Sequence, residues 1–208
     1  MTQPSTNGGT PASSGRTPAQ GNRLDPWYDV YADRAHNLRA SEIRALFSVV
    51  SRPEVVSLAG GMPNLKDLPL DKLAASAEKL IRNHGAQAMQ YGSGQGWEVL
   101  RERITEVMTY DGIVGADPDD VVVTTGSQQA LDLVTELFVN PGDVILAEAP
   151  SYVGALGVFR ARQADIVHVP MDEHGIIPEA LEETIRDVRS SGRTIKFIYI
   201  IPNYHNPA

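Results

Sequence analysis

Three short segments place chemically capable side chains directly after apolar runs. The first is Thr124-Thr125-Gly126-Ser127-Gln128-Gln129, which follows Val121-Val122-Val123 and leads into a helix-like stretch. A glycine followed by a hydroxyl residue at a helix N-terminus makes an anion seat, because free N–H groups, the helix dipole and the hydroxyl converge on one point. The simpler role for Ser127 is that of an N-cap. The second segment is Glu148-Ala149-Pro150-Ser151-Tyr152, after Val144-Ile145-Leu146. Pro150 fixes the approach, and Tyr152 heads the next helix, where its ring can stack on a planar ligand or fill the core. The third is Pro202-Asn203-Tyr204-His205-Asn206-Pro207-Ala208, after Ile195–Ile201. Asn206 there can donate or accept a hydrogen bond, or simply make an Asn-Pro turn. Each signal is weak alone. Together they set a phosphate seat, a ring and an amide on three successive strand ends, and a phosphorylated planar ligand fits that set.

The elements that must position these residues follow a regular alternation. From Asp120 onward the pattern predicts strands at Val121–Val123, Val144–Leu146, Ile166–Val169 and Ile195–Ile201. Helices are expected at Gln128–Phe138, Tyr152–Arg162 and Pro178–Arg189. The strands are continuous apolar runs rather than in/out alternations, as expected for a parallel sheet covered on both faces. Right-handed crossovers then bring the strand C-terminal ends to one edge, where α/β proteins bind ligands. Upstream, Ile43, Leu46, Phe47 and Val50 form one stripe of a helix capped by Ser41. Asp71–Asn83 reads as a second amphipathic helix, with Leu73, Ala77, Leu80 and Ile81 inward and Gly85 as its C-cap. Trp97–Tyr110 reads as a third, with Leu100, Ile104, Val107 and Met108 on one side.

Composition removes several classes of function. The chain has 208 residues and a formal net charge of −8, with no cysteine. Disulfide scaffolds, thiolate metal sites and a cysteine nucleophile are excluded. No basic run suggests a nucleic-acid footprint, and no apolar stretch approaches a membrane span. The histidines His36, His84, His168, His174 and His205 have no i, i+4 pairing, which speaks against a metal site. Neither G-x-G-x-x-G nor a P-loop is present. Met1–Asn22 is rich in Ser, Thr, Gly, Pro and Gln, lacks the apolar centre of a signal peptide, and is expected to be disordered. The expected organisation is a disordered tail at 1–35, an N-terminal arm and small-domain segment at 36–86, and an incomplete ligand-binding domain at 87–208. The expected location is the cytoplasm. Asp172-Glu173-His174-Gly175 is expected to be an exposed turn, and His205 a solvent-facing loop residue rather than one that touches the ligand edge beside Asn206.

Taken in order, SEIRALF, SLAGGMPN, MQYGSGQG, VVVTTGSQQALDL, PGDVILAEAPSYVGAL and FIYIIPNYHNPA resemble the fold-type-I pyridoxal-phosphate (PLP) aminotransferases. The resemblance runs from about Arg39 to Ala208 and points to the 2-aminoadipate, kynurenine and aromatic amino-acid subgroup. It implies the α/β large domain of that fold and a homodimer acting on an amino acid and a 2-oxo acid. It implies that Ser127 and the Gln128 backbone hold the cofactor phosphate, that Tyr152 stacks on the pyridine ring, and that Asn206 bonds the ring oxygen near the substrate carboxylate. Tyr91 would reach the phosphate of the neighbouring subunit's cofactor. Gly60 and Gly61 would line the substrate pocket, and Arg44 would lie in an arm over the substrate. The family's Schiff-base lysine, its pyridinium acid and its carboxylate arginine come after the Asn-Pro motif. The lysines here are Lys66, Lys72, Lys79 and Lys196, and none stands in that context, so no catalytic lysine is assigned. The chain is therefore expected to be the N-terminal part of a longer polypeptide, with an unpaired sheet edge and poor solubility. A non-catalytic binding or dimerisation module is the alternative. A winged-helix regulator built on the same fold is disfavoured, since residues 1–35 cannot hold a DNA-binding domain.

Overall fold

In the computed structural model, which describes residues 25–36, 52, 54–56 and 65–208, one apolar run becomes the centre of the sheet. Strand β1, Val144–Ala149, has every residue from Val144 to Glu148 buried. It pairs in parallel with β2, Asp165–Asp172, on one side and with β4, Ile195–Tyr199, on the other. A two-residue strand β3, Gly175–Ile176, pairs antiparallel with β2. The order across the sheet is β3-β2-β1-β4. The helices of the described residues are α1 (Asp33–His36), α2 (Leu70–Ala88), α3 (Glu98–Met108), α4 (Ser127–Phe138), α5 (Val153–Ala161) and α6 (Pro178–Ser190).

Strand β1 works because alternate residues serve two cores. Ile145 and Ala147 join Val139, Ala155, Leu156, Val158 and Phe159 on the α4–α5 face. Val144 and Leu146 join Val169 and Val188 on the α6 face, with Leu181 and Ile185 packed alongside. A side chain of this size contributes about 1.5–3 kcal/mol when fully buried, so the sheet is stabilised from both sides, as its unbroken apolar run predicts. In β4 the register slips between Val144 and Ile145, whose partners are Ile195 and Phe197. Lys196 is thus a bulge residue. The slip lets Ile195 serve the α6 core and Phe197 and Tyr199 the α5 core.

Several expectations are corrected. Val121–Val123 is not a strand. Val121 has extended dihedrals (φ −98°, ψ 128°), but the run pairs with no strand of the described sheet, although the outer edge of β4 is open. Val123 N–H donates instead to Gln95 O at 2.8 Å. The turn at 172–175 is present, with His174 N–H donating to Asp172 Oδ1 at 2.8 Å, but it closes a β2–β3 hairpin. Helix α2 passes through Gly85, with non-helical dihedrals at His84 rather than a stop. The apolar stripes of α2 and α3 exist but do not face inward: Leu73, Leu80, Ile81, Leu100 and Val107 are all exposed. No described element covers them. Inside the expected tail, residues 25–36 carry a 3-10 turn at Tyr28–Val30 and helix α1, with the Asp25 carboxylate accepting from Trp27 N–H and Tyr31 O–H. Contacts divide the chain into units Met1–Asn37 and Leu38–Ala208. The expected Ser41 helix lies outside the described residues.

The glycine-rich loop at 92–96 is tied to the segment leading into α4. Gly96 has φ +103°, and a Cβ there would stand 2.6 Å from Val123 Cγ2. Gly96→Ala is therefore expected to cost about 1–3 kcal/mol from backbone strain alone, read as a lower urea midpoint. An unchanged midpoint would show that the loop does not constrain this segment.

Candidate functional site

The strand order reverses at β1: the crossover through α5 leads to β2 on one side, and the crossover through α6 returns to β4 on the other. In open α/β sheets the crevice beyond the carboxyl ends of such strands is where ligands bind. The loops leaving β1 and β4 meet there. Glu148, buried near the end of β1, accepts a hydrogen bond from Ile201 N–H at 2.8 Å. His205 Nε2 lies 3.1 Å from Pro150 O. These contacts hold the Pro150–Tyr152 loop and the Pro202–Asn206 loop side by side, so Tyr152 and Asn206 stand at one edge.

Tyr152 is the N-cap residue of α5, in extended conformation, partly buried and packed against the α4–α5 core. Its ring lies over Gly154, where a Cβ would come within 2.4 Å of Tyr152 Cζ. Only glycine leaves room for the ring in this pose. Burial, then Tyr152 and Glu148 nearby, pushes the Tyr199 hydroxyl above its ordinary value. Ser151 is buried, and its hydroxyl has no partner among the described residues. Asn206 is exposed.

Ser127 is the first residue of α4, not its cap; Gly126 takes the cap position with φ +111° and open space around it. The Gln129 carbonyl Oε1 accepts from Thr125 N–H at 2.6 Å and Thr125 Oγ1 at 2.9 Å, which rigidifies the turn. The Ser127 and Gln128 N–H groups precede the helical hydrogen-bond ladder, and Ser127 is exposed. The α4 N-terminus is brought to the same edge by its pairing with α5. The Arg162 guanidinium, at the C-cap of α5, donates to Asp132 Oδ1 and Oδ2, both at 2.8 Å, and to Glu136 Oε2 at 3.0 Å. Asp132 and Glu136 lie in the second and third turns of α4, so the two helices begin at the same end.

The Arg162 hydrogen bond holds the Asp132 carboxyl below its ordinary value of 3.8. The Asn140 backbone N–H, helped by Lys196, does the same for Asp143. A depressed carboxyl contributes stability above its unfolded value and loses it as pH falls through the folded one. Stability is therefore expected to drop as pH falls below about 4, with a shallower acid limb in Asp132→Asn, measured by urea titrations across pH. Identical limbs would show that the α4–α5 pairing carries no net charge contribution.

Other expected site residues are not gathered in. Tyr91 is 99% exposed, on the wall of an open cavity of about 630 Å³ that Trp97 and Arg101 also line. Gly60, Gly61 and Arg44 lie outside the described residues. Lys196 Nζ is 3.3 Å from Asp143 Oδ2, at the opposite end of the strands from Asn206. Lys72 and Lys79 ride on α2, and Lys66 sits in the turn before it. His205 is corrected from solvent-facing to largely enclosed, its side chain only 11% exposed. Sequence reasoning gave no role to Glu148 or Ser151. A lone carboxylate inside the apolar run VILAEA was the available signal. Among the described residues no cluster fit to hold a metal ion is present, and no helix is long and apolar enough to cross a membrane.

Comparison with known proteins agrees with this layout. The family described as "Aminotransferase class I and II" matches residues 53–208. Aromatic-amino-acid aminotransferase 1 of Thermococcus litoralis is 37% identical over 86% of this chain and 43% of its own length. The crystal structure of Pyrococcus horikoshii kynurenine aminotransferase, in complex with PMP, is similar with a TM-score of 0.79 and 34% identity, over 90% of this chain and 46% of that one. The α-aminoadipate aminotransferase of Thermus thermophilus, complexed with N-(5′-phosphopyridoxyl)-L-leucine, gives 0.74 and 35%, over 88% and 43%. The chain thus spans under half the length of the relatives it matches.

Proposed function

The chain belongs to the class I and II aminotransferases, and from that we propose that its 208 residues supply the phosphate- and ring-binding part of a PLP-dependent site that moves an amino group between an amino acid and a 2-oxo acid. One observation carries the reading: the α4 N-terminus, the Tyr152 loop and the Asn206 loop share one sheet edge, the latter two joined by hydrogen bonds. The residues fit the group. The N–H groups of Ser127 and Gln128 precede the helical ladder, a Cβ at the neighbouring Gly126 would meet only open space, and a buried Ser151 hydroxyl with no partner among the described residues lies one residue from Tyr152.

In this reading the Ser127 hydroxyl and the Ser127 and Gln128 N–H groups hold the phosphate at the positive end of the helix dipole. Tyr152 stacks on the ring and shields one face from water. The Asn206 amide donates to the ring oxygen and orients the substrate carboxylate beside it. When bound, PLP supplies the electron sink for the substrate's Cα electrons. Gly60, Gly61 and Arg44 serve the substrate, and Tyr91 reaches the cofactor of a second subunit in a homodimer. Aromatic, branched or dicarboxylic amino acids are the expected donors, 2-oxoglutarate the acceptor and the cytoplasm the location.

A second reading, a binding or dimerisation module without catalysis, has its own support: none of the four lysines is at the site, and Lys196 is engaged by Asp143. The test separates the two. The intact gene product is expected to retain PLP through gel filtration and to transfer the amino group of an amino acid to 2-oxoglutarate. Retention without transfer favours the second reading, and absence of retention overturns the first.

A further inference from the structure

The His205 ring is held on both nitrogens by oxygens that only accept. Nδ1 is 3.3 Å from Ile201 O and 3.3 Å from Glu148 Oε2, and Nε2 is 3.1 Å from Pro150 O. The Glu148 side chain against which the ring lies is only 5% exposed. Other titratable groups stand around the pair: His168 of β2, whose Nδ1 lies 3.3 Å from Glu148 O, Tyr199 of β4, which Glu148 and Tyr152 both influence, and Tyr152 at the head of α5.

We propose that Glu148 and His205 are positioning residues that clamp the loop after β4 onto the end of β1 and so set where Asn206 stands. One ring joins three backbone regions: the end of β1 through Glu148, the loop after it through Pro150, and the start of its own loop through Ile201. Asn206 is the next residue, so fixing the ring fixes the peptide that carries it. Tyr204, with φ +51°, holds a conformation uncommon for a non-glycine residue, which surrounding structure must sustain. The clamp gives the carboxyl inside an otherwise apolar strand its polar partners, the Ile201 N–H and the His205 ring, and a buried polar group without partners is unfavourable. Its functional meaning rests on the reading of Asn206 as a cofactor contact.

The test uses the full chain with His205→Gln and, as an isosteric second variant, Glu148→Gln. Glutamine at 205 has one donor nitrogen and no charge. Glutamine at 148 still accepts from Ile201 but carries no charge. Hydrogen exchange over residues 200–206 is expected to speed up roughly tenfold or more in each variant, while residues 144–147 stay protected. Unchanged exchange in both variants overturns the clamp. Equilibrium dialysis with PLP and with inorganic phosphate adds the functional arm. The variants are expected to weaken PLP roughly tenfold and leave phosphate untouched. A loosened loop with unaltered PLP affinity overturns the positioning role. An unaltered chain that takes up neither probe overturns the cofactor reading instead, and exchange still decides the clamp.

Discussion

Phe159→Ala is expected to lower the unfolding free energy by about 3–5 kcal/mol, read by urea denaturation of the full chain. Phe159 is fully buried in α5. Its ring meets Phe197 edge-on at 5.9 Å and 71°, and Tyr199 at 5.4 Å and 77°. Such pairs are worth about 0.5–1.5 kcal/mol beyond the area they bury. The contacts reach across the sheet from α5 to β4, so the cavity opens where the two site loops are anchored. Phe159→Leu refills most of the volume and is expected to recover much of the loss. A change below about 1 kcal/mol for alanine would mean that the sheet collapses easily onto α5, against the close packing expected of interiors.

The second large effect is at the anion seat. In the intact gene product, Ser127→Ala is expected to weaken PLP retention roughly ten- to hundredfold, the worth of one hydrogen bond to a charged group. The Gln128 N–H and the dipole of α4 remain, so binding falls without vanishing. Ser127→Asp puts a carboxylate where the phosphate would sit and is expected to fall further. Pyridoxal without its phosphate makes the contrast sharp: Ser127→Ala is expected to leave its binding unchanged, whereas Tyr152→Ala weakens both ligands. If Ser127→Ala affects the two ligands equally, the phosphate seat is elsewhere.

The layered α/β plan is readable in the sequence because each buried strand is an unbroken apolar run and each helix between them has one apolar face. Val144–Leu146, Ile166–Val169 and Ile195–Ile201 all lie in observed strands, or extend past one by two residues. Val121–Val123 misleads for a physical reason. Three β-branched residues favour extended backbone, but a strand also needs a ladder partner, and the Val123 N–H is instead taken by Gln95 O of the glycine-rich loop. The α2 and α3 stripes mislead in the opposite sense, since periodicity says which face is apolar but not what covers it. The loops carrying Ser127, Tyr152 and Asn206 stand out through their glycine, proline and aromatic residues at strand ends. The contacts that hold two of them together do not. Glu148 and Ile201 are 53 positions apart, and Pro150 and His205 are 55. Nothing local marks a glutamate in a strand and a histidine in a loop as partners.

The slipped register at Lys196 has a consequence for how this chain tolerates length changes. Ile195 and Phe197 already serve opposite layers, so excising Lys196 would leave a regular ladder with every neighbour still facing its own side. Removing Phe197 would also close the slip and leave Ile198 and Tyr199 in register, but it would set Lys196 opposite Ile145 in place of a ring of the α5 core. Position 196 is therefore where a codon can be lost without displacing a core side chain, at the expense of the salt link to Asp143.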